Sequence, residues 1–299
     1  MKALRSDLLY DFTRTPAAVF AAALLALLLA GAALAPWIAP HDPFDLAAIQ
    51  LTDAFHPPAW SGEGEARFPL GTDGQGRDML SAMLFGLRLS LAVGLGAVAL
   101  SALLGIAAGL CAGYLGGLAD ALLMRLADIQ LTFPSILVAL LIDGVIRAAL
   151  PPALHEELAL PIVILAVGLS NWPHFARTVR ASTLVERDKE YVQAARLIGV
   201  PRLTILTRHL LPNVLGPVFV IATLNLGFAI IAEATLSFLG VGVPASRPSL
   251  GTLIRLGNDF LFSGEWWILL LPACLLVLLV LAVNLLGDWL RDALNPRLR

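Results

Sequence analysis

Ser170 and His174 stand one helical turn apart and are the nearest this chain comes to a nucleophile beside its base. No Gly-x-Ser-x-Gly or Ser-Gly context surrounds Ser170 and no third partner is evident, so hydrolysis is the weakest reading of the pair. The GTDGQGRD element, Gly71 to Asp78, superficially offers glycines and acids for a metal or a phosphate. It lacks the acidic series and distal Glu of an EF-hand, and no Lys-Ser or Lys-Thr follows the glycines. It therefore reads as a turn entering the next element, with no metal site. Glu233, Asn225 and Asn171 lie within apolar runs, where a polar group is a functional candidate by default; all three are candidates for lining a path through an apolar layer. Glu233 either meets a solute amine or takes a structural place at a boundary or pairing, and the structural place is favoured. Arg125 and Asp128 are i, i+3 neighbours placed to satisfy each other. Asn284 and Asp288 suit hydrogen bonds between helices or solvation at a boundary.

These groups need elements to hold them, and composition states what kind. The 299 residues are 58% hydrophobic and 14% charged, with a mean hydropathy of +0.82, beyond what soluble domains carry. The chain reads as an all-α polytopic membrane protein. A net charge of -2 excludes the clustered basic excess of a nucleic-acid binder. Cys111 and Cys274 sit in apolar runs and read as buried free thiols. Six segments approach the roughly 20 residues a spanning helix needs: Ala17 to Ile38, Leu89 to Gly113, Ala121 to Ile142, Leu158 to Phe175, Val214 to Glu233 and Trp267 to Leu286. The first is too long for a signal-peptide core, and Pro36 stands where cleavage would fall, so it reads as an uncleaved anchor. Gly105, Gly109 and Gly113 share one face at intervals of four; close helix packing is the plain explanation and a pore face the alternative. Pro134 and Pro173 predict kinks, either hinges or static bends satisfied by neighbours.

Loop charge orients the bundle. Between Phe175 and Asn213 seven basic residues face three acidic ones, a net of +4, whereas Pro40 to Gly86 holds two against seven, a net of -5. The first segment belongs inside and the second outside, and Lys2, Arg5, Arg14, Arg291, Arg297 and Arg299 then place both termini in the cytoplasm. The outer segment reads as a long loop with short turns. Within the inner one, Tyr191, Ala194, Ala195 and Ile198 recur at i, i+3, i+4 and i+7 while Glu190, Gln193 and Arg196 lie off that stripe, which predicts a short amphipathic helix stopped by Gly199 and Pro201. Either an interfacial loop helix or a surface for a partner fits this pattern.

Gln193-Ala194-Ala195, Gly199 and Leu210-Leu211-Pro212 resemble the EAA loop of binding-protein-dependent ABC importer permeases, with Gln193 where that motif has Glu. PWIAPHDPFD, GTDGQGRDMLSAMLFGLRLSL, GYLGGLAD, AEATLSFLGVG and NLLGDWLRDALNPRLR, in that order, are similar to the C-type subunits of dipeptide and oligopeptide permeases. The resemblance implies a type I importer permease fold of six transmembrane helices: an anchor helix and outer loop over 1–87, the permease domain over 88–287 with its coupling loop at about 176–212, and a cytoplasmic tail over 288–299. It implies ATPase-coupling residues at Glu190, Tyr191, Gln193, Ala194, Ala195, Arg196, Ile198, Gly199 and Pro212, with help from the turn at Gly113 to Asp120. It also implies partners: a second related permease subunit in a heterodimer, two ATP-binding subunits carrying ATP and Mg, an extracytoplasmic substrate-binding protein and the lipid bilayer. This chain has no Walker motif and needs no cofactor or catalytic residue of its own. The cargo so implied is a di- or oligopeptide, with nickel or another small solute as the alternative. A self-sufficient secondary transporter would show paired internal repeats, which are not evident.

Overall fold

The structure, a computed structural model, describes residues 10–45 and 49–293, so Lys2, Arg5, Arg297 and Arg299 lie outside the described residues. Its principal helices are α1 (Pro16–Ile38), α2 (Met79–Leu115), α3 (Gly117–Leu131), α4 (Ser135–Ala149), α5 (Ala159–Glu186), α6 (Glu190–Leu197), α7 (Leu211–Phe238), α8 (Leu250–Asn258) and α9 (Trp266–Ala293). Among the described residues the only bridge between extended segments is Thr72 with Asp78. Among the described residues five helices are long and apolar enough to cross a membrane, with Arg202–Phe238 counted as one. The sixth expected span, Ala121 to Ile142, is broken: α3 and α4 meet at 97° across Thr132–Pro134. Pro134 clashes with a continued helix and drives its predecessor toward extended geometry, so the apolar run divides where hydropathy alone sees one rod.

α2 runs 37 residues, about 55 Å at 1.5 Å per residue, far past a hydrocarbon core of roughly 30 Å. Its start lies ten residues before the expected one because Asp78 caps it, the carboxylate accepting the Ser81 N–H at 2.9 Å. The added turns bury Met79, Ala82 and Met83 against Leu253, Trp267 and Ile268. The described residues of the loop before it form turns and one 3-10 turn at Leu51–Asp53. It is held down by Trp267, whose indole donates to Thr72 O at 3.0 Å, and by Arg77, which pairs with Asp73 at 2.7 Å and donates to Ala245 O. Asp73 also accepts the N–H groups of Gln75 and Arg77, so its oxygens are engaged by the turn itself.

The tightest helix pair is α2 with α5. A Cβ at Gly109 would lie 2.6 Å from Ala176 O and 2.7 Å from Val179 Cβ, and one at Gly113 2.7 Å from Thr183 Cβ. The glycine face is thus a packing seam and not a pore wall. Gly109→Leu is expected to lower stability by about 3 kcal/mol through overpacking, read as a drop in the unfolding midpoint in detergent. Gly144→Ala, where nothing lies within 4 Å of an added Cβ, should not lower it.

Pro173 leaves α5 continuous. The carbonyl of Leu169, which a residue with an N–H at position 173 would bond, accepts instead from Gln130 Nε2 at 2.6 Å, and Gln130 Oε1 accepts the Trp172 indole N–H at 2.8 Å. The carbonyl that Pro173 frees is thus satisfied by α3. One pairing expectation and one burial expectation change as well. Asp128 meets Arg177 at 3.4 Å in place of Arg125. Cys111 is half-buried and Cys274 exposed on apolar helix surface, so neither is the buried thiol expected. Asn284 lies directly against Gly227 of α7, the interhelical place expected of it, while Asp288 is exposed.

Candidate functional site

Two places gather the candidate residues. The first is α6, at the bundle end where α2 and α5 finish and α7 begins. Lys189, extended, precedes the helix, and a Schellman closure ends it. Gly199 N–H donates to Arg196 O at 3.1 Å and Val200 N–H to Ala195 O at 3.0 Å, with Gly199 at φ +76°. No side chain crowds Gly199, so the glycine is required by backbone geometry alone.

The apolar face is rotated from the expected stripe. Val192 and Ala195 point inward and join a cluster with Leu110, Phe175, Val179, Ile205, Leu210 and Val214. Tyr191, Ala194 and Ile198, three of the four residues of the expected stripe, are exposed, as are Glu190, Gln193, Arg196, Gly199 and Pro212. Leu197 and Ile198 are 88% and 79% exposed, and Leu203 just beyond is 71% exposed. The inner anchor, Val192, was missed because it lies beside the i, i+3, i+4 series that Tyr191 begins; its signal is the second series it forms with Ala195.

Polar ties fix α6 to three long helices. Tyr191 OH donates to Glu186 of α5 at 2.8 Å and accepts from Asn213 Nδ2 of α7 at 3.0 Å. Burial, and then the adjoining Glu186 carboxylate, push the Tyr191 phenol above its ordinary range, so it remains a donor. The Arg196 guanidinium lies 4.7 Å from the Tyr114 ring centroid at the end of α2. The adjacent turn is closed by Gly116 and Gly117 at φ +65° and +54°, and anchored by Arg187 Nη1 to Gly113 O at 2.7 Å and Arg180 Nη2 to Asp120 at 2.7 Å. Gln193 Nε2 donates to Asp188 O at 3.0 Å. A π turn over Ile205–Leu210 leads into Leu211 and Pro212, the wider ring making room beside a proline that has no N–H to offer.

The second place is a groove of about 430 Å³ near the α3–α4 break, walled by the start of α4, α5 and α7. Asn171, Asn225 and His174 all line it. Glu233 does not: it is 0% exposed, accepting from Ser90 Oγ and Ser237 Oγ at 2.8 Å each, and so holds the structural place. Ser170 is buried and donates its hydroxyl to Ala166 O at 2.5 Å, four residues back on its own helix, and not to His174. Among the described residues no group of three or more His, Cys, Asp or Glu is arranged to hold a metal ion.

Residues 101–299 match the family described as binding-protein-dependent transport system inner membrane component, and residues 4–58 match the N-terminal transmembrane domain of oligopeptide transport permease C. The chain is 41% identical over 269 residues to the di/tripeptide transport system permease protein DppC of Pseudomonas aeruginosa, covering 90% of this chain and 84% of that protein. It is 34% identical to the probable D,D-dipeptide transport system permease protein DdpC of Escherichia coli, covering 98% and 91%. Its fold is similar to a chain of the inward-facing MetNI methionine ABC transporter, with a TM-score of 0.56 and 21% identity over 73% of this chain and 98% of that one. An ABC importer permease fold, several apolar spans and these matches make it a multi-pass inner-membrane transport permease that works with ATPase and substrate-binding partners. The chain belongs to the family of binding-protein-dependent transport system inner membrane components.

Proposed function

We propose that this permease carries di- or oligopeptides across the inner membrane as one half of a heterodimer with a related permease subunit, driven by two ATP-binding subunits and supplied by an extracytoplasmic binding protein. Relatives similar to nearly the whole chain are named as di/tripeptide and D,D-dipeptide permeases, which supports a peptide cargo. The observation that carries the mechanism is the exposed apolar ridge of Leu197 and Ile198 at the end of α6, with exposed Leu203 just beyond it, on a helix whose other side is tied to α2, α5 and α7. An exposed ridge on a braced helix is a handle: a partner gripping α6 displaces three spans together, since packed interiors transmit displacement. ATP and Mg belong to the partner subunits. The +4 loop carrying α6 faces the cytoplasm, and residues 10–16 and the end of α9 lie at that same bundle end, Phe12 meeting Trp289 with ring centroids 5.0 Å apart.

Reconstitution tests this. Proteoliposomes holding both permeases, the ATPase subunits and a peptide-loaded binding protein are expected to accumulate peptide on addition of ATP, and to stop when the ATPases are withheld. A cysteine replacing Arg196 should react only from the cytoplasmic side. Peptide accumulation by this chain alone, or labelling of that cysteine from outside, would overturn the proposal.

A further inference from the structure

The polar groups around the groove are complementary in kind. Asn171 and Asn225, on α5 and α7, are 8% and 7% exposed. Each donates its Nδ2 to the carbonyl four residues back, Val167 O at 3.0 Å and Ile221 O at 2.9 Å. That bond decides which way each amide points, because an oxygen turned toward a carbonyl would be repelled. Both residues are left with an Oδ1 acceptor that no described group reaches. Another wall is the start of α4, created by the break at Pro134. Its first two N–H groups, of Ser135 and Ile136, donate to no described group; bonding begins with Leu137 and Val138, both to Pro134 O. The start of a fifteen-residue helix carries partial positive charge, and a broken span that presents such an end to a groove is suited to an anionic or carbonyl oxygen. The rest of the lining is mostly apolar, with Leu224, Phe228 and Ile231 prominent.

Resting on the reading that this groove belongs to the translocation path, we propose that it is a subsite for the peptide main chain. Asn171 and Asn225 accept from the solute's N–H or ammonium groups, and the free N–H groups of Ser135 and Ile136 take its carbonyl or carboxylate oxygen. The apolar walls make no polar demand on side chains, so recognition is by backbone and tolerant of sequence. A nickel ion does not fit: His174 is the one titratable ligand in the lining, with no thiolate or carboxylate beside it.

The test uses the full reconstituted complex at saturating solute-loaded binding protein, comparing a dipeptide with its analogue methylated on the peptide nitrogen. Wild type should move the dipeptide faster. Asn171→Leu with Asn225→Leu is expected to slow the dipeptide about tenfold and to erase its advantage over the analogue. Asn171→Asp with Asn225→Asp loses the Nδ2 bond to its own helix but keeps an acceptor oxygen, and should retain the preference. Loss of the preference in both pairs would assign the amides a structural role and overturn the proposal, as would its persistence in the leucine pair. Phe228→Cys, in a chain with Cys111→Ala and Cys274→Ala, separates this from the path reading. Its labelling by a small thiol reagent should fall during peptide turnover. If labelling is indifferent to turnover, the path reading fails and the subsite with it; if it falls while the leucine pair keeps the preference, only the subsite fails.

Discussion

Replacing Leu197 and Ile198 together with arginine is expected to reduce ATP-driven uptake about 100-fold while leaving the permease folded and inserted. Both side chains stand almost wholly in solvent and neither belongs to the cluster that anchors α6, so the isolated chain loses no packing. Against a partner the situation reverses. Two guanidinium groups brought into an apolar contact without counter-charges cost about 3 kcal/mol, roughly 100-fold in affinity. Uptake and ATPase activity measured on the same proteoliposomes check this, with the unfolding midpoint of the purified permease as control. The expected pattern is an unchanged midpoint, lost uptake, and ATP hydrolysis that no longer responds to loaded binding protein. Unchanged uptake would detach the exposed ridge from the motor. Val192→Asp gives the contrast, because a charge on the buried side should lower the midpoint as well.

Much of this was legible in the sequence, and the parts that were not share a physical cause. Hydropathy marks segments long enough to span, and it located α1 and the start of α9 closely, because helices that bury little of their surface in the bundle are apolar on every side; it ended α5 at Phe175, where the helix runs on to Glu186 through a polar stretch packed by its neighbours. It placed the start of α2 late because the exposed Arg88 interrupts the apolar run, whereas the helix begins at the Asp78 cap and packs Met79, Ala82 and Met83 against α8 and α9. It joined α3 to α4 because a window average passes over one proline, though Pro134 predicted that a kink would stand there. The α6 helix and its glycine stop were readable from local chemistry, since a helix end at φ +76° calls for glycine whatever surrounds it. Which face of α6 turns inward was not readable: eight residues carry two overlapping apolar series, and tertiary packing of Val192 chooses between them. The same limit applies to the intramembrane polar groups. Glu233, Asn225 and Asn171 look alike as polar positions in apolar runs, yet the fold closes around Glu233 and opens a groove before the two asparagines. Gln130 was overlooked because its role, replacing the N–H that Pro173 lacks, exists only once α3 lies against α5.

Glu233→Leu is expected to lower stability by about 3 kcal/mol, because this carboxylate terminates two hydrogen-bond relays. Leu250 N–H donates to Ser90 Oγ, which donates to Glu233 Oε2; Val243 N–H donates to Ser237 Oγ, which donates to Glu233 Oε1. One side chain of α7 thereby joins α2, the start of α8 and the segment linking α7 to α8. Leucine fills similar volume but removes the acceptor of both hydroxyls at once; each must turn to the carbonyl four residues back on its own helix or stay without an acceptor, at about 1–3 kcal/mol for each left unpaired. Glu233→Gln should be much milder. Its amide oxygen retains one relay, and its NH2 can donate to the other serine, whose hydroxyl is then free to bond the carbonyl four residues back on its own helix. Detergent unfolding midpoints should rank wild type, Gln, then Leu, and limited proteolysis should cut the leucine variant first within 239–249, where the relays no longer hold the segment down. A leucine variant as stable as wild type would mean that the relays contribute nothing and that packing of Leu250 and Leu253 alone seats α8. A glutamine variant as unstable as leucine would mean instead that the seat requires a carboxylate, with acceptors on both oxygens, so that one fully enclosed acid sets the position of α8 over the end of the bundle opposite α6.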